Sequence, residues 1–345
     1  MPEYFSTMPR TYSKNKPTIL VSALGEYVPF RGGIAVYAAS IVDALIQSGR
    51  YKTYVATVEE KSESGKGEHL YVEIPMQQNL KMVFAVGKMW RLIRRVGPDC
   101  IVVTHPFDAV VVEKVLRILR LVSAGSYRRP KIVYAVYGTE ILDAAESRGL
   151  MSQARFATWL KKVDRIIVIS RFTMSLLMKH FGQNIKGKTG KVSLVYPTVR
   201  TVSKGKERGN VVRQTIQRAM KKVSGKYILS IGRLVKRKGH HIVIKGMKYI
   251  PEAISYVIVG TGPEHDNLQK LITKENMESR VHIFTSINEY EKSQLIRKSL
   301  FLVQPSTSRR QVGHRVEGFG ITIVEAFAQK RTAIIFNEGG DGRDC

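Results

Sequence analysis

Residues 18–24 read TILVSAL, and apolar runs of this kind return at 51–58, 100–103, 131–136, 164–169, 227–231, 255–259, 281–284, 300–304 and 332–336. They are short, rich in β-branched residues and mostly without polar alternation. Such runs fit strands buried on both faces, which means a parallel sheet. Helical periodicity fills the spaces between many of them, at 34–47, 81–95, 110–122, 240–247, 266–274, 289–298 and 321–329, with a further helix capped by Ser170. Strand–helix alternation on this scale predicts doubly wound α/β architecture.

The alternation breaks once. Residues 202–226 are basic and polar, with room for a helix near 211–222. The chain therefore divides into a short disordered lead at 1–17, a first domain at 18–201, an interdomain region at 202–226 and a second domain at 227–345. With 345 residues, two domains are expected. Two Rossmann-like halves imply a cleft between them where ligands bind.

Composition narrows the setting. No apolar run reaches the length of a membrane span, and the start of the chain lacks the apolar core of a signal peptide. Cys100 and Cys345 are the only cysteines, too few for a disulfide scaffold, so a cytoplasmic protein is expected. Lys and Arg number 56 against 28 Asp and Glu, a net charge of +28. The excess is spread evenly, 30 basic against 15 acidic residues up to Arg200 and 26 against 13 after it. Such a field attracts phosphates, anionic lipid or nucleic acid without choosing among them.

Four elements of the second half share one logic. GRLVKRKG at 232–239 follows a strand and holds Arg233 and Lys238 on a glycine-bounded loop, where two cations can clamp a diphosphate. VGTGPE at 259–264 is a turn at a strand end, weak by itself. EGFGITIVE at 317–325 brings glycines that let backbone approach a ligand, then a helix whose first N–H groups are free for phosphate. Glu325 lies about a turn and a half into that helix, where its carboxylate can accept ribose hydroxyls, and Glu317 sits in the loop before it. Gly339 and Gly340 form a further turn.

In this order, with VHIFTSI at 281–287 and FLVQPS at 301–306, the elements resemble the donor half of the retaining GT-B glycosyltransferases of family 4. GGIAVYAASIVDALIQSG at 32–49 and VDRIIVISRFT at 163–173 extend the resemblance to the first half. The paired glutamates eight positions apart are its most specific part. The resemblance implies a nucleotide-diphosphate sugar as donor and no separate cofactor. Arg233 and Lys238 would neutralise the leaving diphosphate, Glu317 would orient the transferred sugar and Glu325 would hold the ribose. Phe319, Gly320 and Ile321 would meet phosphate and sugar through backbone, Ile283 and Phe284 the base, and Gly32 and Gly33 would close on the phosphates from the first half.

The sequence departs from the family at several points. Tyr137 of YGTE stands where many relatives carry a histidine that contacts the sugar, and a tyrosine cannot supply an imidazole. His105, after the strand at 100–103, is the substitute within the same half, or else a capping residue. VYPT at 195–198 replaces another family turn. The family continues beyond the Gly339-Gly340 turn with further strand and a helix, so the resemblance implies a shortened second domain. No Asp-x-Asp occurs, and Arg233, Lys238 and the helix start near Gly320 are expected to carry the leaving charge without a metal.

The acceptor is unnamed by the sequence: a lipid-linked glycan, a glycan or a protein. Residues 81–95 read as a basic amphipathic helix, with Lys81, Lys88, Arg91 and Arg95 on one side and Met82, Val86, Met89, Trp90 and Ile93 on the other. Together with the basic stretch at 114–131, it points either to an anionic membrane surface at the inner face or to plain sheet cover. Other classes stay open at this stage: a catalytically impaired GT-B protein that binds nucleotide sugar or anionic polymer, and a nucleotide-sugar epimerase. A nucleic-acid module has only the charge in its favour, since no recognition motif accompanies it.

Overall fold

A computed structural model describes residues 16–24, 32–57, 70–73, 81–122, 127–147, 150–185, 189–198, 223, 225–285, 287–307 and 317–336. The lead up to residue 15, the loop at 61–69, nearly all of the 202–226 region and the Gly339-Gly340 turn lie outside the described residues. The chain forms two compact units, Met1–Ala135 with Ala154–Ile167, and Val136–Gln153 with Val168–Cys345.

The first sheet runs β3-β2-β1-β4-β5-β6-β7. Its strands are β1 (Thr18–Ser22), β2 (Lys52–Thr57), β3 (Leu70–Glu73), β4 (Cys100–Val103), β5 (Lys131–Val136), β6 (Arg165–Val168) and β7 (Val192–Leu194). The helices between them are α1 (Gly33–Ser48), α2 (Lys81–Val96), α3 (Pro106–Val122), α4 (Thr139–Ala145), α5 (Gln153–Lys162) and α6 (Arg171–Ile185). β1 pairs in parallel with both β2 and β4, at Val21↔Val55 and Val21↔Val102. β1 is therefore an interior strand, and the burial of successive residues from Ile19 to Ser22 shows both its faces covered, which explains its unbroken apolar run. Ile19 and Val21 pack on Ala38, Ala39 and Val42 of α1.

The second sheet runs β10-β9-β8-β11-β12. Its strands are β8 (Lys226–Ile231), β9 (Ile254–Val259), β10 (Val281–Phe284), β11 (Leu302–Gln304) and β12 (Ala333–Ile335). The helices are α7 (His240–Gly246), α8 (His265–Lys274), α9 (Glu289–Lys298) and α10 (Ile321–Ala328). Alternate residues of β8 go to opposite faces. Tyr227, Leu229 and Ile231 join Leu295, Ile296, Ile323 and Ala326 from α9 and α10. Ile228 joins Ile244, Met247, Leu268 and Ile272 on the side of α7 and α8. Both sheets are doubly wound, as the strand–helix alternation requires.

The sequence reading misses four short elements: β3, β7, α4 and α5. It also starts α3 late. The helix begins at Pro106, and proline is favourable in a first helical turn, where its missing N–H is no loss. Ser170 caps α6 as expected, its hydroxyl accepting from Thr173 N–H at 2.9 Å. No helix among the described residues is long and apolar enough to cross a membrane.

On α2, Met89 and Ile93 of the expected apolar side are buried together with Ala85 and Leu92, while Met82 and Val86 are half-buried. Trp90 is half-buried, with the Arg94 guanidinium 5.0 Å from its ring. What α2 offers to solvent is Val83, Phe84 and the arginines 91, 94 and 95.

Three carboxylates pin the strand ends of the first sheet. Asp99 accepts from Thr18 N–H, and Asp164 from Ile132 N–H. Asp108 is fully buried at the start of α3 and accepts from the Ser22 hydroxyl and Leu24 N–H, both at 2.7 Å. Removing that acceptor strands two buried donors at the C-terminal end of β1. Asp108→Ala is expected to destabilise the chain by about 1–3 kcal/mol for each donor left unpaired. Urea midpoints of the two proteins check this, and a shift worth less than about 0.5 kcal/mol, the ordinary surface-substitution range, would refute the pinning role.

Candidate functional site

In the second sheet the connections reverse direction between β8 and β11, and loops leaving two such strands diverge and leave a crevice. The loop after β8 passes Gly232 and a 3-10 turn at Lys236–Lys238 before Gly239. Thr307 N–H, beyond β11, donates to Arg237 C=O at 2.8 Å and ties the two loops together.

At this place Glu317 meets two cations. One oxygen, Oε2, accepts from Arg237 Nη1 and from Lys238 Nζ, each at 2.7 Å. All three side chains are largely buried, the most exposed at 17%. Burial pushes the Glu317 carboxyl up, but Lys238 and Arg237 outweigh it and hold it at about 2. The carboxylate is therefore ionised throughout the ordinary pH range. Of the expected pair, Lys238 is in this cluster. Arg233 is exposed and makes no ion pair among the described residues. The second cation on Glu317 is Arg237, which the sequence reading passed over. The run of three cations, Lys236 to Lys238, was the signal available for it.

The glycines of VGTGPE have a structural explanation. A Cβ on Gly262 would come within 2.4 Å of Leu234 C=O, and one on Gly260 within 1.8 Å of Gly232 C=O. Leu234 N–H donates to Thr261 C=O at 2.8 Å, and Glu264 N–H to Leu234 C=O at 3.0 Å. The turn thus braces the cation loop from behind.

The segment after Glu317 carries the remaining expected contacts. Phe319 is buried, with its ring centroid 5.6 Å from that of Tyr196. Gly320 caps α10 with φ 82°, a left-handed conformation, and no side chain caps that end. The N–H groups of Ile321 and Thr322 are thus available to an anion, while Ile323 N–H donates to Gly320 C=O at 2.9 Å. Glu325 points its Oε1 at Lys292 Nζ, 2.8 Å away on α9, and Lys292 reaches Glu289 at 2.6 Å. The Glu325 Oε2 is buried and has no donor among the described residues.

Ile283 and Phe284 pack into opposite cores of the second sheet. Phe284 C=O accepts from Gly260 N–H at 2.9 Å. Past this strand end, Thr285 is exposed.

Tyr137 belongs to the same unit and is nearly buried. Its N–H donates to Glu140, whose carboxyl burial raises to about 7 against these backbone hydrogen bonds. Its C=O lies against Gly318, where an added Cβ would sit 2.3 Å from that oxygen. The Thr173 hydroxyl bridges the carbonyls of Tyr137 and Gly318, at 3.4 and 3.5 Å. Gly318 is therefore required by close approach.

His105, Gly32 and Gly33 lie in the first unit. His105 Nδ1 accepts from Phe107 N–H at 3.1 Å at the start of α3, and burial lowers its pKa to about 4. The ring is neutral near pH 7 and acts there as a cap. Gly32 precedes α1 in extended conformation, and Gly33 is the first helical residue.

The two kinds of glycine in the chain give opposite expectations. Gly318→Ala forces the loop away from Tyr137 and is expected to cost about 1–3 kcal/mol. Gly87→Ala, in the middle of α2 with nothing within 4 Å of an added Cβ, is expected to stabilise by about 0.5–1 kcal/mol. Thermal melting of both variants checks this. Equal melting temperatures would remove the close-approach account of Gly318.

Comparison with known proteins bears on this arrangement. Residues 31–202 match the Glycosyltransferase Family 4 model and residues 212–342 match Glycosyl transferases group 1. An uncharacterised glycosyltransferase of Methanocaldococcus jannaschii is 27% identical over 216 residues, 61% of this chain and 50% of that protein. A second from the same organism is 30% identical over 114 residues, 33% of this chain and 29% of that protein. The chain spans half or less of the length of these curated relatives. Among solved structures, Anabaena HepE in complex with UDP-glucose superposes with TM-score 0.66 at 18% identity, over 94% of this chain and 81% of that one. Sucrose-phosphate synthase of Thermosynechococcus elongatus does so with TM-score 0.68 at 16% identity, over 94% and 82%. These likenesses show the fold, two parallel-sheet α/β domains of GT-B type. With a Family 4 domain followed by a group 1 domain, the chain belongs to the glycosyltransferases that these two families describe.

Proposed function

We propose that the chain transfers a sugar from a nucleotide-diphosphate sugar to an acceptor hydroxyl, with retention at the anomeric carbon and without a metal or separate cofactor. The observation that carries this reading is the cation cluster at the end of β8. Residues 232–239 bring Arg233, Lys236, Arg237 and Lys238 to one loop, and among the described residues Glu317 is the only carboxylate paired with it. The surplus positive charge suits a leaving diphosphate. The bond from the anomeric carbon to the diphosphate oxygen breaks, and a bond to the acceptor oxygen forms on the same face. The acceptor proton passes to the leaving phosphate. Lys238, Arg237 and the open start of α10 stabilise the charge that develops. HepE, crystallised with UDP-glucose, supports a nucleotide sugar as the donor class.

The first test is a panel of UDP-, ADP- and GDP-sugars, scored by thermal stabilisation and then by transfer in the presence of EDTA. One donor should stabilise the chain by mass action. Lys238→Ala and Glu325→Gln should each lower transfer by about tenfold or more, as expected for loss of a charged contact. Full activity in both variants would remove the donor-site assignment. Abolition by EDTA with rescue by magnesium would overturn the metal-free account, and NMR of the product's anomeric proton decides retention.

We further propose that the acceptor is presented at an anionic membrane surface, on the cytoplasmic side. The support is in the first unit. The end of α3 exposes Leu121, at 75%, and Val122, at 65%, beside the exposed Arg117 and Arg120. α2 packs beside α3 and adds exposed Arg91, Arg94 and Arg95 with no acid of its own. The acids of α3 are used elsewhere, Asp108 in the core and Glu113 on Arg155 and Lys162. Apolar tips within a basic field suit a headgroup boundary. The chain should float with liposomes containing phosphatidylserine at low salt and less so at high salt. Changing Arg94, Arg95, Arg117 and Arg120 to Glu should abolish flotation. Equal flotation of the reversed variant, or none by the parent chain, would favour a soluble acceptor.

A further inference from the structure

We propose that Lys292 is a positioning residue of the donor site: from the neighbouring helix it fixes one oxygen of Glu325 and leaves the other for the vicinal diol of a nucleotide ribose. This rests on the proposed donor reading of Glu325 and adds a residue that the reading does not contain.

The geometry carries the inference. Lys292 lies on α9 and Glu325 on α10, and the two helices are packed on the same face of the second sheet. Nζ of Lys292 sits 2.8 Å from Oε1 of Glu325. Both side chains are largely buried, at 15% and 12% exposure. A buried carboxylate with one fixed oxygen has one direction left in which to accept. That second oxygen, Oε2, is buried and unmatched among the described residues. A buried acceptor left without a donor is costly, and a ligand hydroxyl supplies what is missing. A purely structural ion pair has no need for such an unmatched oxygen.

Lys292 contacts two carboxylates. Glu289 contacts Lys292 at 2.6 Å but is well exposed, so solvent screens that end of the chain. The charged groups facing Glu325 are Lys292 and Glu289, both on α9. α10, β11 and β12 bring no other charged residue. Burial pushes the Glu325 carboxyl above its ordinary range, Lys292 opposes this, and Glu289 adds to the rise. Burial likewise works against the Lys292 ammonium, and the two carboxylates outweigh it and raise its pKa. Without the lysine, the glutamate keeps its burial and loses its only cation. It then takes up a proton at a higher pH and turns from an acceptor of two hydroxyls into a partial donor.

The experiment measures binding of UDP, ADP and GDP beside their 2′,3′-dideoxy counterparts, by calorimetry from pH 6 to pH 9. The wild-type chain should prefer the ribonucleotide, and Glu325→Gln should lose that preference. Lys292→Met should lower the ribose preference by about tenfold at neutral pH, the worth of a charge-assisted hydrogen bond. The preference should recover toward high pH, and Lys292→Arg should restore it. Affinity for the dideoxy nucleotide should stay unchanged in Lys292→Met, which shows that the site is still folded. A wild-type chain that does not distinguish the two sugars overturns the reading of Glu325 and this inference with it. Discrimination that is lost in Glu325→Gln but kept at every pH in Lys292→Met leaves that reading standing and overturns the role of Lys292. Equal loss of affinity for both nucleotides in Lys292→Met makes the lysine a fold contact and also overturns it.

Discussion

A parallel strand cannot return through a hairpin, and this constraint organises the second half of the chain. Each strand must be followed by a crossover, so both sheet faces become covered and the strands end on the same edge. Where the order reverses, between β8 and β11, two loops leave that edge with nothing between them. The cation loop at 232–239 and the segment after β11 are those loops. A backbone hydrogen bond from Thr307 to Arg237 joins them, and Glu317 ties them again through Arg237 and Lys238. The cluster thus follows from connectivity before any side chain is considered.

The side chains then answer an electrostatic problem. Glu317 is buried, and a buried carboxylate without partners is strongly unfavourable. Two cations on one oxygen reverse the balance and hold it ionised. This arrangement is also one that an anion can enter. A diphosphate presents several oxygens to the same two cations, and Glu317 has a second oxygen with which to remain in contact. On the proposed function, the glutamate pre-forms the cation pair for a phosphate by holding Arg237 and Lys238 together. Pre-formed donors cost less to use in a transition state than donors that must gather first.

Much of this was legible in the sequence because it is carried by local pattern. Strand runs buried on both faces are apolar without interruption, and the α10 helix start follows from Gly318-Phe319-Gly320. The roles of Arg237, Lys292 and Asp108 were not legible. Each depends on a partner 80, 33 or 86 residues away, and spacing along the chain holds no trace of such a pairing. Periodicity gave α2 two faces, one basic and one apolar, but could not tell a sheet from a membrane as the cover of the apolar one. Met89 and Ile93 are buried within the fold, so at least that part of the apolar face is covered by protein. The GTG turn presents the reverse case. Its glycines were weak evidence of a site in the sequence, and backbone of the neighbouring loop occupies the space beside them.

Glu317 and Glu325 are eight residues apart and share chemistry, yet their surroundings push them in opposite directions. Glu317 has two cations and its pKa is driven down, while Glu325 has one cation, already shared with Glu289, and burial drives its pKa up. The difference lies in which elements supply the partners. Glu317 is in a loop and takes its cations from the loop of β8, whereas Glu325 is on α10 and is met from α9. The first glutamate is saturated on one oxygen and stays charged. The second is left one donor short. On the proposed function this inequality is useful, because cations offered to phosphate and an acceptor left open for hydroxyls cannot come from the same balanced pair.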